Sequence, residues 1–99
     1  MRIRISPFAE KDLQESIEFY NKQKEGLGDD FAEVIDYTIK RIKENPNQFS
    51  AEYKEIKKAQ IQRFPFNIFF IVEDSTCYIL GVFHSSRNPD IMNDRYPLK

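Results

Sequence analysis

The chain has 99 residues, of which 40% are hydrophobic and 31% are charged, as in a folded, water-soluble protein. The length leaves room for one hydrophobic core, so we expect a single domain over residues 1–99. The net charge of −1 argues against a protein that grips polyanions over its whole surface. One cysteine, Cys77, excludes an internal disulfide, and no apolar run or leader suits a membrane, so we expect a cytoplasmic protein with no membrane partner.

A strand followed by a helix is predicted at the N-terminus. Residues 2–6 alternate basic and apolar side chains, which indicates a half-buried strand with both isoleucines on one face. Ser6 can accept hydrogen bonds from free amide groups and Pro7 suits the first helical position, so a helix should begin there. It should end near residues 24–25, and its apolar stripe is Leu13, Ile17 and Tyr20.

A second helix follows a short connection. Gly26 and Gly28 can both take positive φ, so residues 26–28 should reverse the chain between antiparallel helices. Acidic residues at the start of the second helix and basic residues at its end suit its dipole, and Asn45 with Pro46 should end it. Its apolar stripe is Phe31, Ile35, Thr38 or Ile39, and Ile42.

The second half of the chain has the composition of strands. Residues 53–64 mix apolar and basic side chains, and residues 66–72 are almost unbroken apolar sequence, as in a central strand covered on both faces. Turn residues at 73–75 separate this run from a similar one at 76–84, which predicts a hairpin. The polar tail beyond has room for one turn of helix around 90–94.

This order of elements predicts an α+β fold. An N-terminal strand and a two-helix hairpin precede a three-stranded antiparallel meander, and both helices pack on one face of a largely antiparallel sheet.

Several reaction classes lack their usual residues. The sequence has no Gly-rich phosphate loop and no Cys or His pair at metal spacing, so we expect no metal and no cofactor. Cys77 and His84 lie seven residues apart on one predicted strand and should point to opposite faces, which argues against a nucleophile pair.

Charge is distributed unevenly along the chain. Residues 10–36 hold nine acidic residues and three lysines, whereas residues 54–63 hold four cations and one anion. The basic segment should present some of its cations together on one exposed side, either as a target-binding surface or as a solvated strand that resists edge-to-edge pairing. Its cations are Lys54, Lys57, Lys58 and Arg63.

Two further residues could carry chemistry. His84 is the only histidine, so it is the natural candidate for a general acid or base at neutral pH, although a strand-end histidine is also common as a hydrogen-bonded structural residue. Arg87 suits contact with a phosphate or a carboxylate, or a structural ion pair with Asp90 or another acid of the C-terminal segment.

These features together resemble the RelE/ParE superfamily of toxins from bacterial type II toxin–antitoxin systems. The resemblance spans nearly the whole chain and rests on motifs in the right order. They are Ser6-Pro7 with Ala9 and Asp12-Leu13; Gly26-Leu27-Gly28 with Phe31; Asn45-Pro46; the segment from Arg63 to Phe70; and His84 with Arg87-Asn88-Pro89.

The resemblance implies a growth inhibitor held silent by a cognate antitoxin. It leaves two mechanisms open, because ParE-like members inhibit DNA gyrase without hydrolysis and RelE-like members cut messenger RNA on the translating ribosome. The segment around Phe64, Pro65 and Phe66, together with the motif that begins at His84, is closer to ParE-like members, so we favour gyrase. A homodimer is a further option.

A ribonuclease would use residues that match the family's catalytic region. Its catalytic residues would be His84, Arg63 and Lys57, with Arg87 holding a phosphate and no metal required. The sequence departs from that pattern in two places. Asn67 stands where ribonuclease members often carry arginine, and the C-terminal catalytic tyrosine has no clear counterpart, since Ile91 is near its place and Tyr96 lies later.

Two expectations follow for the structure. An antitoxin segment should cover the apolar and basic surface, as an acidic amphipathic helix or an added strand. A ribonuclease should bring its cations and its histidine together on one concave patch, and these residues are Lys57, Lys58, Arg63, His84 and Arg87.

Overall fold

The computed structural model describes residues 1–88, 90 and 92–95, and within them the elements follow the predicted order with one extra strand. They are β1 (Arg2–Ile5), α1 (Pro7–Gln23), α2 (Leu27–Glu44), a short 3₁₀ helix (Pro46–Gln48), β2 (Ala51–Tyr53), β3 (Ile56–Gln60), β4 (Phe66–Glu73), β5 (Thr76–His84) and α3 (Met92–Arg95).

The five strands form one mixed sheet in the order β1-β5-β4-β3-β2. Strand β1 pairs parallel with β5, and the remaining neighbours pair antiparallel. The α+β fold predicted from the sequence is therefore confirmed, including the hairpin of β4 and β5. The first strand reaches the far side of β5 because the helical hairpin carries the chain across the sheet.

Helix α1 begins as predicted. The Ser6 hydroxyl oxygen accepts a hydrogen bond from the Ala9 amide at 3.1 Å, and Pro7 occupies the first turn, where an N–H would have no helical partner. Ala9 is fully buried, so the cap and the buried first turn together fix where the helix leaves the sheet.

The connection between the helices corrects one prediction. Gly26 takes φ +85°, but Gly28 lies inside α2, which begins at Leu27. Gly28 is required for another reason, because a Cβ there would fall on the Ile17 carbonyl oxygen and 2.7 Å from Cγ of Asn21. The Asn21 side chain accepts the Gly28 amide at 2.7 Å, so α1 and α2 meet backbone to backbone at their turn.

Both faces of the sheet are apolar, as expected for β4. The helix-side cluster joins Ile68 and Phe70 of β4 to Phe31, Ile35 and other buried residues of the helices. The opposite cluster joins Phe69 and Ile71 of β4 to Leu80 and Phe83 of β5, with Met92 of α3 packed against them. Helices α1 and α2 therefore cover one face, and α3 covers part of the other.

The basic segment does not form the single strand predicted for residues 53–64. Strands β2 and β3 are short, and a tight turn with Lys54 at φ 52° joins them. Arg63 lies in the loop before β4 at φ 68°, so neither Lys54 nor Arg63 is on a strand. The chain reverses twice in this segment, at Lys54 and around Arg63, and the mixed composition did not indicate either reversal.

A bulge in β5 corrects the prediction for Cys77 and His84. Phe69 pairs with Gly81 while Phe70 pairs with Ile79, so Leu80 is an additional residue in β5. The additional residue shifts the alternation by one, and His84 contacts Phe66 on the same helix-side face as Cys77. The two side chains are still no pair, since seven residues of strand separate them by roughly 20 Å.

Candidate target-binding surface

The four cations of the basic segment do not share one exposed side. Lys57 and Lys58 are neighbours on β3, paired with Phe70 and Phe69 of β4, and so point to opposite faces of the sheet. The Lys57 ammonium donates to the carbonyl oxygens of Pro46 and Phe49, at 3.3 and 3.2 Å. It therefore holds the segment that follows α2.

The other cations of this segment have local partners. Lys58 forms a 2.8 Å salt bridge with Glu52 on β2. Arg63 lies 3.6 Å from Asp30 at the start of α2 and over the ring of Phe64, and Lys54 lies over a tyrosine ring of β2. The four cations of this segment thus make contacts within the chain and do not form one basic face.

His84 is fixed by the turn that follows β5. Its Nδ1 accepts the backbone N–H of Ser86 at 3.1 Å and lies 2.8 Å from the Ser86 hydroxyl. Because Nδ1 accepts an N–H, the neutral ring carries its proton on Nε2. The ring also meets Phe66 edge to face at 5.4 Å, so His84 makes the local contacts of a hydrogen-bonded structural residue.

Lys57 and Lys58 lie away from His84, the histidine that a ribonuclease would bring to its cations. His84 pairs with Phe66 of β4, and Lys57 pairs with Phe70 of the same strand. His84 and Lys57 are therefore four residues apart along the strand direction, about 13 Å, and two strands apart across the sheet. Lys58 points to the opposite face. Asn67, where ribonuclease members often carry arginine, lines a second cavity together with Lys58 and Arg87. Ile91, Tyr96 and Pro89 lie outside the described residues.

A buried ion pair that the sequence did not indicate joins α1 to α3. The Asp12 carboxylate accepts both terminal nitrogens of Arg95, at 2.5 and 2.9 Å, and the side chains are 10% and 12% exposed. Asp12 also accepts the Val82 amide at 3.0 Å. Asp12 appeared only within a family motif, and nothing in the polar tail indicated where Arg95 would lie.

This ion pair covers the edge of β5 beyond the end of β1. Strand β1 pairs with β5 only as far as Ile5 and Ile79. After that point the Leu80 carbonyl oxygen accepts hydrogen bonds from the Ser6 hydroxyl at 3.4 Å and from Arg95 at 3.5 Å. The Asp12 carboxylate accepts the amide N–H of Val82, which follows on the same edge. Side chains of α1 and α3 thus replace the missing strand.

An open groove of about 440 Å³ lies between α1 and the end of β5. We call it the α1 groove. Phe8 and Phe19 of α1 line it and are 50% and 56% exposed, although both are large apolar side chains. The remaining lining residues are Lys11, Asp12, Glu15, Ser16, Phe66, Val82, Phe83, His84, Arg87 and Arg95.

Two guanidinium groups lie over Phe83 in this groove. Arg95 is 4.5 Å and Arg87 is 5.2 Å from the ring centre. Arg95 is neutralised by Asp12, whereas Arg87 is exposed and has no ion pair within the described residues. The ion pair with Asp90, one of the interpretations that the sequence left open for Arg87, is therefore not formed. Arg95 has the structural role that the sequence left open for Arg87.

The described residues offer no metal site and no membrane span. No group of three or more His, Cys, Asp or Glu side chains in residues 1–88, 90 and 92–95 could hold a metal ion. In the same part of the chain, no helix is both long and apolar enough to cross a bilayer.

The fold is an α+β fold of the RelE/ParE type. It has a helical hairpin packed on a five-stranded mixed sheet and an N-terminal strand parallel to β5. Residues 3–89 match the family described as the ParE toxin of the type II toxin–antitoxin system parDE, and the chain belongs to this family. ParE toxins are gyrase inhibitors, and a parDE system implies a cognate ParD antitoxin as partner.

The fold is similar to that of a solved structure, a chain from the chromosomal ParDE toxin–antitoxin system of P. aeruginosa. The TM-score is 0.76 at 19% sequence identity, over 85% of this chain and 95% of that one. A search of curated protein sequences finds no significant match.

Proposed function

We propose that this chain inhibits DNA gyrase by binding it and cuts no nucleic acid. The observation that carries the proposal is the family match over residues 3–89, because ParE toxins are gyrase inhibitors. The dispersal of the basic residues supports it. Cleavage of RNA needs cations around the reacting phosphate, and here Lys57 binds backbone carbonyls while Lys58 and Arg63 have carboxylate neighbours.

The partners follow from this function. A ParD antitoxin binds the chain and silences it, and the gyrase and the antitoxin meet it in the cytoplasm. The target is recognised through a local surface, since the net charge of −1 gives little general attraction to nucleic acid.

A paired assay on the purified chain tests the proposal. One arm measures DNA supercoiling by purified gyrase as the chain is titrated in, and the other measures the integrity of messenger RNA on translating ribosomes. We expect supercoiling to stop while the message stays intact. Addition of the antitoxin, encoded beside the toxin, should restore supercoiling.

Three variants separate the mechanisms, namely Lys57→Ala, Lys58→Ala and His84→Ala. If the chain were a ribonuclease, the message would be cut by the unchanged protein and spared by these variants, and supercoiling would continue. That result would overturn the proposal. A gyrase inhibitor should tolerate Lys58→Ala with no change in potency per folded molecule, because Lys58 forms a salt bridge with Glu52 of the same chain.

A further inference from the structure

Of the two arginines over the ring of Phe83, Arg87 has no ion-pair partner among the residues that the structure describes. Two guanidinium groups over one ring repel each other unless carboxylates neutralise them, and Asp12 neutralises only Arg95. Arg87 lines both the α1 groove and the cavity that contains Lys58 and Asn67, and its guanidinium has no ion pair within the described residues. A carboxylate supplied from outside the chain would complete this arrangement through charge-assisted hydrogen bonds.

Apolar contacts are available along the same groove. Phe8 and Phe19 are eleven residues apart in α1, which is three turns, so they lie on one helix face and about 16 Å from each other. Each is at least half exposed. Burying such rings in a complex is a large source of binding free energy, and aromatic and arginine side chains dominate protein interfaces.

The groove suits a protein segment better than a nucleic acid. Glu15 carries a negative charge on its α1 wall, and Asp12 lies beneath it. Phosphates spaced along a strand would meet these carboxylates and, among the described lining residues, one arginine without an ion pair and Lys11. A peptide segment with one carboxylate between apolar side chains would instead match both the arginine and the two phenylalanines.

We propose that the α1 groove is where the chain binds its target protein, and that it accepts a segment of gyrase with a carboxylate flanked by apolar side chains. This inference rests on the proposed function. Arg87 binds the carboxylate, and Phe8 and Phe19 bury the apolar side chains.

The test measures two activities of purified variants, inhibition of gyrase supercoiling and direct binding to gyrase. The groove variants are Arg87→Glu, Arg87→Ala and Phe19→Ala. Lys40→Glu is the control for charge, and Tyr37→Ala is the control for an exposed ring, because both residues are exposed on α2. Thermal unfolding verifies that every variant is folded.

We expect each groove variant to lose on the order of tenfold or more in potency and in binding, with Arg87→Glu the most affected, while both controls match the unchanged chain. Groove variants as potent as an active unchanged chain would overturn this inference and leave the proposed function standing. An unchanged chain that does not inhibit gyrase would overturn both.

A DNA-binding arm distinguishes a nucleic-acid target. Binding of a labelled DNA duplex to the chain alone should be weak and insensitive to Arg87→Glu. If duplex binding and inhibition fall together in this variant, the groove binds nucleic acid and the inference is wrong.

Discussion

Asp12 accepts a hydrogen bond from β5 that a neighbouring strand would otherwise accept. Its carboxylate accepts the Val82 amide at the point where β1 has ended, and it holds both nitrogens of Arg95. The group lies in a mostly buried position, where an unpaired charge is costly. One residue of α1 thereby ties the sheet edge to the C-terminal helix.

Asp12→Asn should destabilise the fold because it leaves the Arg95 charge without a counterion. Breaking a buried pair from one side costs about 3–5 kcal/mol, and we expect a loss of about 2–4 kcal/mol in urea unfolding since some solvent reaches both side chains. Asp36→Asn, at an exposed position of α2, is the control and should change stability little. Equal stability of Asp12→Asn and the unchanged chain would contradict this role.

The two glycines of the helix connection are needed for different reasons. At Gly28 a methyl group would overlap the Ile17 carbonyl, so Gly28→Ala should lose about 1–3 kcal/mol despite the higher helix propensity of alanine. At Gly26 space is open and only the positive φ matters. Gly26→Asn should therefore cost less than about 1 kcal/mol, because asparagine tolerates that conformation. The reverse order of costs in chemical denaturation would contradict the assignment.

Cys77 should make the free energy of unfolding depend on pH in the alkaline range. Burial raises the pKa of the thiol from 9.0 to about 11, because the thiolate would lose its hydration. Between those values the folded chain keeps a proton that the unfolded chain releases, so the free energy of unfolding falls as pH rises through the window. Cys77→Ala should show a shallower fall over pH 9 to 11, although its stability at neutral pH is lower. Parallel curves for the two proteins would disagree with this prediction.

At the scale of elements, the turn of the β4–β5 hairpin carries local strain. Asp74 and Ser75 both have positive φ, 49° and 60°, as in the two-residue turns whose twist matches paired strands. Serine is disfavoured there and glycine is not. Ser75→Gly should therefore raise the free energy of unfolding by about 0.5–1 kcal/mol.

The control for this turn is Ser50→Gly, at an exposed position before β2 without positive φ. It should gain nothing, since glycine only adds freedom to the unfolded chain there. A gain of similar size in both variants would contradict the explanation by backbone strain.

The elements that the sequence predicted well are those with a strong periodic pattern. The stripe of α2 is correct, with Thr38 rather than Ile39 as its fully buried member, and the Ser6 cap and the two-faced β4 are also correct. The bulge at Leu80 could not be predicted, because an extra residue in an apolar strand leaves the composition unchanged. The two reversals around the basic segment were missed since their positive φ values fall on Lys54 and Arg63 rather than on glycine.

At the scale of the whole molecule, the separation of charge along the sequence does not become a basic face. Eight of the nine acidic residues of 10–36 lie on α1 and α2, and Glu25 lies in the connection between the two helices. The cations of residues 54–63 point to different faces and mostly have partners in the chain. Of the residues predicted to bind a target, His84 and Arg87 line the α1 groove, and Lys54, Lys57, Lys58 and Arg63 are not among its lining residues. Sequence alone could not reveal this, because pairing across strands and loops decides which charges remain free.

The inhibition of purified gyrase is the most direct test of the claim that this chain is a gyrase inhibitor. DNA supercoiling should stop as the chain is titrated in and return when the antitoxin is added, with messenger RNA on translating ribosomes left intact. Undiminished supercoiling together with cleaved message would contradict the account.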